Sequence, residues 1–134
     1  MIFIDSSVWI DYFSRQPTPA TRYLDQLLDK GERTLVIGDL VLLEVLQGFR
    51  LDEDFEAAKG LLTLLEIYAL GGEQLVVRAA ENCRLLRKKG VTIVSSIDVL
   101  IATFCIWQDF ELLHNDGDFD RIRQHLPLRI AQSA

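Results

Sequence analysis

The sequence predicts an α/β fold: a three-layer α/β/α sandwich with a central, mostly parallel sheet of four or five strands. Three observations carry that reading. Apolar runs of three or four residues, the length of buried strands, alternate with longer stretches of helical periodicity. The first run, residues 2–4, begins almost at the first residue. At 134 residues, 49% apolar and 25% charged, the chain suits one domain over residues 1–134.

The elements follow in order. After the strand at 2–4, Ser6 or Ser7 is the expected cap of a short helix through Tyr12. Pro17 and Pro19 interrupt, and a helix over about 21–29 sets Leu24, Leu27 and Leu28 on one face and ends at Gly31. Residues 35–37 read as the second strand, and Asp39 as the N-cap of a helix to about Gln47. Helices are expected near 54–65 and 73–89. In the second, Val76, Ala79, Ala80, Cys83 and Leu86 recur at the spacing of a buried stripe, closed by Gly90. Residues 91–94 are a further strand candidate, Ser95 or Ser96 caps a helix through Trp107, and 111–114 is the next strand. A short helix from about Phe119 and a strand near 128–130 complete the chain.

Composition narrows the function classes. Twenty acids against fourteen Lys and Arg give a net charge of −6, so no global basic excess is present to attract nucleic acid. Any such partner must meet a local basic patch or a metal. Cys83 and Cys105 belong to no CxxC pair and have no His at metal-site spacing, which predicts two buried thiols in a reducing compartment. The start, Met-Ile-Phe-Ile-Asp, has no basic region and does not read as a secretory signal. The longest near-apolar run, Val99 to Trp107, is about half a bilayer span. A cytoplasmic protein with no membrane partner is expected.

Four acids stand where acids are costly. Asp5 ends Met-Ile-Phe-Ile, Glu44 interrupts Leu-Val-Leu-Leu-Glu-Val-Leu, Asp98 opens Ile-Asp-Val-Leu-Ile-Ala, and Asp116 follows Leu-Leu-His-Asn. A carboxylate among apolar residues needs a partner, hydrogen bonds or a metal. In a parallel sheet the carboxyl ends of the strands line the ligand crevice, which is where Asp5, Asp98 and Asp116 would emerge. Glu44, about one helical turn from Asp39, reaches the same edge. Such a cluster of like charges calls for a hard cation with oxygen ligands, Mg²⁺ or Mn²⁺.

Each acid also has a purely local reading. Asp98 completes a Ser-x-x-Asp capping box with Ser95, and Asp5 can accept backbone hydrogen bonds in a strand-to-helix turn. Glu44 can sit on the exposed side of an edge helix. Asp116, Asp118 and Asp120 can belong to a loop and helix cap. An EF-hand loop is excluded, because the twelfth position counted from Asp116 is Pro127 rather than Glu.

Together these segments, Ile-Asp-Ser-Ser, Val-Leu-Leu-Glu44-Val, Ser-Ile-Asp98-Val-Leu-Ile-Ala and Leu-Leu-His-Asn-Asp116-Gly-Asp118-Phe, resemble the PIN domain, and within it the VapC-type toxin ribonucleases of toxin–antitoxin pairs. The resemblance spans nearly the whole chain. It implies a metal-dependent ribonuclease that forms a homodimer and is occluded by a cognate antitoxin. It makes Asp5, Glu44 and Asp98 the core acids, Asp116 the fourth and Asp118 a further contributor. Asp5, Asp98 and Asp116 are the implied metal ligands, with Ser6 or Ser7 orienting a carboxylate or water.

Hydrolysis by metal-activated water would leave a 5′-phosphate and a 3′-hydroxyl without using the RNA 2′-hydroxyl. For substrate contact the candidates are Arg121 and Arg123, close to the acidic loop, and His114; the denser Arg84, Arg87, Lys88 and Lys89 group can equally be the solvated face of a helix. The alternatives are a metal-dependent DNA nuclease or phosphatase, and a non-enzymatic scaffold retaining the acids.

Overall fold

The computed structural model describes residues 1–93 and 95–132. Among them the order is β1 (Ile2–Ile4), α1 (Ser6–Phe13), α2 (Pro19–Lys30), β2 (Leu35–Gly38), α3 (Asp39–Leu46), α4 (Asp52–Leu62), β3 (Glu66–Tyr68), α5 (Glu73–Lys88), α6 (Ser96–Gln108), β4 (Glu111–Leu113), α7 (Gly117–Arg123) and β5 (Arg129–Ile130). The five strands form one parallel sheet in the order β3-β2-β1-β4-β5. The expected α/β sandwich with a parallel sheet is therefore what the chain adopts.

The central position of β1 follows from its residues. Ile2, Phe3 and Ile4 are wholly buried, as are Val36 and Ile37 of β2 and Leu112 of β4. Strands this apolar are stable only where helices cover both faces, and each such side chain adds roughly 1.5–3 kcal/mol of burial. One face carries an aromatic cluster in which Phe104 of α6 lies against Phe3, Tyr68 and Phe110, with ring centroids 5.6–5.9 Å apart. Gly38, at the end of β2, is required by packing: a Cβ there would fall 2.4 Å from the Leu70 side chain.

The structure corrects several local expectations. Val91 to Ile93 form no strand, and Val94 lies outside the described residues. The backbone there is spent closing α5, with the Val91 N–H donating to the Leu86 carbonyl at 2.9 Å and Gly90 at φ 79°. The fifth strand is instead β3, an edge strand of Glu, Ile and Tyr whose exposure removes the apolar signature of a buried strand. The buried stripe of α5 runs through Leu75, Ala79 and Leu86, whereas Val76 is 50% exposed and Ala80 faces solvent. Asp5, not Ser6 or Ser7, is the N-cap of α1, and Gly38, not Asp39, is that of α3. Both cysteines are free; Cys105 is buried and Cys83 only partly so.

Candidate active site

The register of the two central strands builds the site. Ile4 pairs with Leu113, and the Asp5 N–H continues the ladder to the Leu113 carbonyl at 3.0 Å. The residues after both strands therefore leave the sheet side by side, as a parallel pair must. Asp5 starts α1, and Asp116, three residues beyond β4, is the N-cap of α7.

Each acid on this side is held by short-range hydrogen bonds. Asp5 is 3% exposed, and its Oδ2 accepts from the Ser7 N–H at 3.1 Å and the Ser7 hydroxyl at 2.7 Å. Ser7 Oγ in turn accepts from the Asn115 N–H at 3.0 Å, while Asn115 Nδ2 donates to Asp11 Oδ2 at 2.7 Å. This pair ties the loop after β4 to α1. Asp116 Oδ1 accepts from the Asp118 N–H at 3.0 Å, and the Asp116 N–H donates to His114 Nδ1 at 3.1 Å. Asp118 Oδ1 accepts from Arg121 at 3.3 Å.

Asp98 enters from α6. It lies in the first turn, and Ser95, the N-cap, makes no side-chain capping bond, so the capping-box arrangement is not formed. Carboxylate oxygens of Asp98, Asp116 and Asp118 lie within 4.8 Å of one another. The sequence groups Asp5 with Asp98 and Asp116; in the structure the acids whose oxygens lie within 4.8 Å of one another are Asp98, Asp116 and Asp118, with Asp5 within electrostatic reach of Asp98.

Glu44 behaves differently. It is exposed, as is its neighbour Leu43, whereas Val41 and Val45 carry the buried face of α3. The aliphatic neighbours that make this carboxylate look out of place in the sequence are partly solvated themselves. Its link to the site is the field it exerts on Asp5.

A protein-family model described as the PIN domain matches residues 2–124. The chain belongs to the PIN domain family. It is 28% identical, over 98% of both chains, to the Mycobacterium tuberculosis protein named Ribonuclease VapC11. It is also similar in fold to VapBC2 from Rickettsia felis bound to a promoter DNA fragment, with a TM-score of 0.75, 23% identity and full coverage of both chains. A second solved structure, Mycobacterium tuberculosis VapC20, described as a sarcin-ricin loop cleaving toxin, superposes with a TM-score of 0.67 at 19% identity over 90% of this chain and 93% of its own.

The charge state of this PIN-domain site follows from its geometry. Burial, followed by the neighbouring Asp5, Asp116 and Asp118 carboxylates, pushes the Asp98 pKa up to about 7. Burial also raises Asp5, against the opposing hydrogen bonds of Ser7 and the Ser6 backbone. His114 is held below its usual range, chiefly by burial and despite the pull of Asp120, Asp5 and Asp116. Its side chain is 7% exposed, and because Nδ1 accepts from Asp116 the proton sits on Nε2, 3.6 Å from Asp120. His114 thus shapes the loop rather than presenting a surface contact.

Arg121 is engaged with Asp118, while Arg123 is exposed with no ion pair among the described residues. The triad is a set of hard oxygen donors whose mutual repulsion Arg121 offsets at one member only. That donor set fits a divalent cation of the Mg²⁺ or Mn²⁺ kind. Asn115 and Asp11 are not distinguished by the sequence; the signal available is an amide directly before Asp116, which gives no hint of its partner on α1.

Proposed function

We propose that this chain is a metal-dependent endoribonuclease, the toxin of a VapBC-type toxin–antitoxin pair, which hydrolyses RNA phosphodiesters to 5′-phosphate and 3′-hydroxyl ends. The observation that carries the reading is the Asp98, Asp116 and Asp118 triad, with oxygens within 4.8 Å, backed by buried Asp5 on a PIN-domain sheet edge. The relatives named as ribonucleases support the substrate class. In this reading Asp98, Asp116 and Asp118 hold Mg²⁺, with Mn²⁺ as a substitute, and Asp5 adds negative charge behind them or ligates directly. When bound, such an ion lowers the pKa of water and offsets charge on the transferring phosphoryl group.

The chain's own residues do the rest. The Ser7 hydrogen bonds aim the Asp5 carboxylate and, with the Ser6 backbone, favour its ionised form against the burial that disfavours it, and His114 and Asn115 fix the loop that carries Asp116. Glu44, on the solvated side of the site, orients the attacking water and accepts its proton. Arg123, exposed and without an ion pair among the described residues, follows the triad in sequence and is the nearer candidate for the substrate's phosphates, Arg121 being engaged with Asp118. Attack by water leaves the 2′-hydroxyl unused, so no 2′,3′-cyclic phosphate forms, and departure of the 3′ oxygen as the leaving group gives the 5′-phosphate and 3′-hydroxyl ends.

The partner in this reading is a cognate antitoxin, since solved structures similar to this chain include VapBC complexes. A groove of about 990 Å³, lined by Ile10, Phe13, Phe49 and Leu51 together with Arg15, Arg50 and Asp54, offers room for a partner segment of mixed character. The assembly is a homodimer, and the place of action is the cytoplasm. No described helix is long and apolar enough to cross a membrane.

The test is cleavage of defined RNAs, and of DNA of the same sequence, with Mn²⁺ and with EDTA, followed by end-group analysis. The reading expects Mn²⁺-dependent RNA cuts with 5′-phosphate ends. Cleavage that persists in EDTA, or that Asp98→Asn leaves intact, overturns it.

A further inference from the structure

A nuclease whose site is rimmed by acids needs cations elsewhere to hold a polyanion, and many of the basic side chains here are already committed. Arg33 pairs with Glu111, Lys59 with Glu56, Arg121 with Asp118 and Arg129 with Asp109. Arg78 lies over the Trp107 ring at 4.6 Å. The densest group left is Arg84, Arg87, Lys88 and Lys89 at the C-terminal end of α5, all exposed and with no ion pair among the described residues.

Two contacts and one shared cavity fix where that group stands. Asn82 Nδ2 donates to Thr103 Oγ1 at 2.9 Å, Arg78 stacks on Trp107, and Leu86 shares a small cavity with Val99. In each pair one residue number rises as the other falls by the same amount, so α5 and α6 pack antiparallel in a single register. Advanced by one residue from Leu86 and Val99, that register sets Arg87 level with Asp98 along the helix axes, and Arg87 does line the same small cavity as Ser96 and Val99 of the α6 first turn. With helix axes about 8–10 Å apart, the basic end of α5 flanks the acid-bearing end of α6.

We propose that this end of α5 is the docking ridge for the RNA backbone, with Arg84, Arg87 and Lys88 contacting phosphates that flank the bond cut at the acidic centre. The inference rests on the ribonuclease reading and adds the path the strand takes. Because these are phosphate contacts, they supply affinity without sequence preference and weaken as salt rises. A bland role as cations complementing the α5 dipole predicts an effect on stability and none on RNA affinity.

The test compares Arg87→Gln/Lys88→Gln with a charge-matched control on α2, Arg22→Gln/Lys30→Gln. Binding of a labelled single-stranded RNA is measured in EDTA across a salt series, and cleavage is measured with Mn²⁺. The ridge variant is expected to bind roughly tenfold or more weakly, with a salt slope reduced by about 0.7 for each phosphate no longer neutralised. Its kcat at saturating RNA should stay within about twofold of wild type, its melting temperature should hold, and the control should match wild type. Adding Arg84→Gln should weaken binding further. If wild type cleaves RNA while the ridge variant binds and responds to salt as the control does, the ridge is overturned and the ribonuclease reading stands. If wild type neither binds nor cleaves RNA, both fall.

Discussion

The two sides of the acidic edge are built on opposite principles. On the β1 and β4 side, Asp5, Asp116 and their neighbours are joined by hydrogen bonds of 2.7–3.1 Å running Asp5, Ser7, Asn115, Asp11, with His114 clamping Asp116. On the α3 side, Glu44 is exposed. Like charges held together by the fold store unfavourable electrostatic energy that a cation can release, whereas a solvated carboxylate stores almost none. The first arrangement suits ion binding and the second suits a mobile proton acceptor. Substitutions on the two sides should separate accordingly.

The largest effect is expected from Asp98→Asn. RNA cleavage should fall by about 10³-fold or more, on the order of 4 kcal/mol of transition-state stabilisation. The metal-free protein should melt at the same or a higher temperature at pH 7, because the substitution removes a repelling charge. A marked drop in metal-free melting temperature would return Asp98 to a helix-capping role and erase the contrast.

The pH dependence of the metal-free protein is the next test. The Asp98 pKa is raised from 3.8 to about 7 in the folded state, so between those values the folded chain binds more protons than the unfolded one. The stability that Asp98 contributes is therefore fully present near pH 4 and declines as pH rises toward 7. Urea midpoints measured across that window should show the decline in EDTA, little of it with Mn²⁺, and a shallower decline in Asp98→Asn, where Asp5, also raised by burial, still titrates. A flat profile in EDTA would mean that the triad's charges are too well solvated to drive ion binding.

The same contrast explains what is legible in the sequence. Asp5 and Asp116 are readable because a parallel sheet converts "acid after a short apolar run" into "acid at one edge", whatever the side-chain details. Ile2–Ile4 is readable as a strand because burial on both faces leaves a continuous apolar signature, whereas its pairing with β4 comes from the fold. β3 is not, because an edge strand that is half solvated reads as Glu-Ile-Tyr within a loop. Glu44 stands out in the sequence on grounds that fail in the fold, since its flanking leucines are partly exposed and periodicity over eight residues does not reveal which face is outward. The Asn115 and Asp11 contact spans 104 positions, and neither residue carries a local pattern that names the other.

Glu44→Gln should fall between the extremes. An exposed position predicts a stability change within about ±0.5 kcal/mol, and loss of a proton acceptor predicts roughly 10²-fold slower cleavage. Mn²⁺ affinity, measured by calorimetry, should change by less than about threefold. An affinity loss as large as that of Asp98→Asn would show that Glu44 is a ligand and that the two sides act as one.

The smallest effect is expected at the tie between the loop and α1. Asn115→Ala removes a hydrogen bond to a carboxylate, worth about 1.5–3 kcal/mol when well formed and less at this exposed position. A loss of about 1 kcal/mol in stability and a few-fold loss in Mn²⁺ affinity should follow, because the loop carrying Asp116 and Asp118 becomes freer before the ion orders it. Asn115→Asp alone should do more harm than Ala, since two carboxylates would then face each other across the 2.7 Å separation that the amide now bridges. The exchanged pair, Asp11→Asn with Asn115→Asp, reverses donor and acceptor but restores the bond, and it should recover at least half of the Mn²⁺ affinity. A generic packing defect would leave the double variant no better than Asn115→Asp. Recovery would locate the order of the β1 and β4 side in this one hydrogen bond, the feature the α3 side lacks.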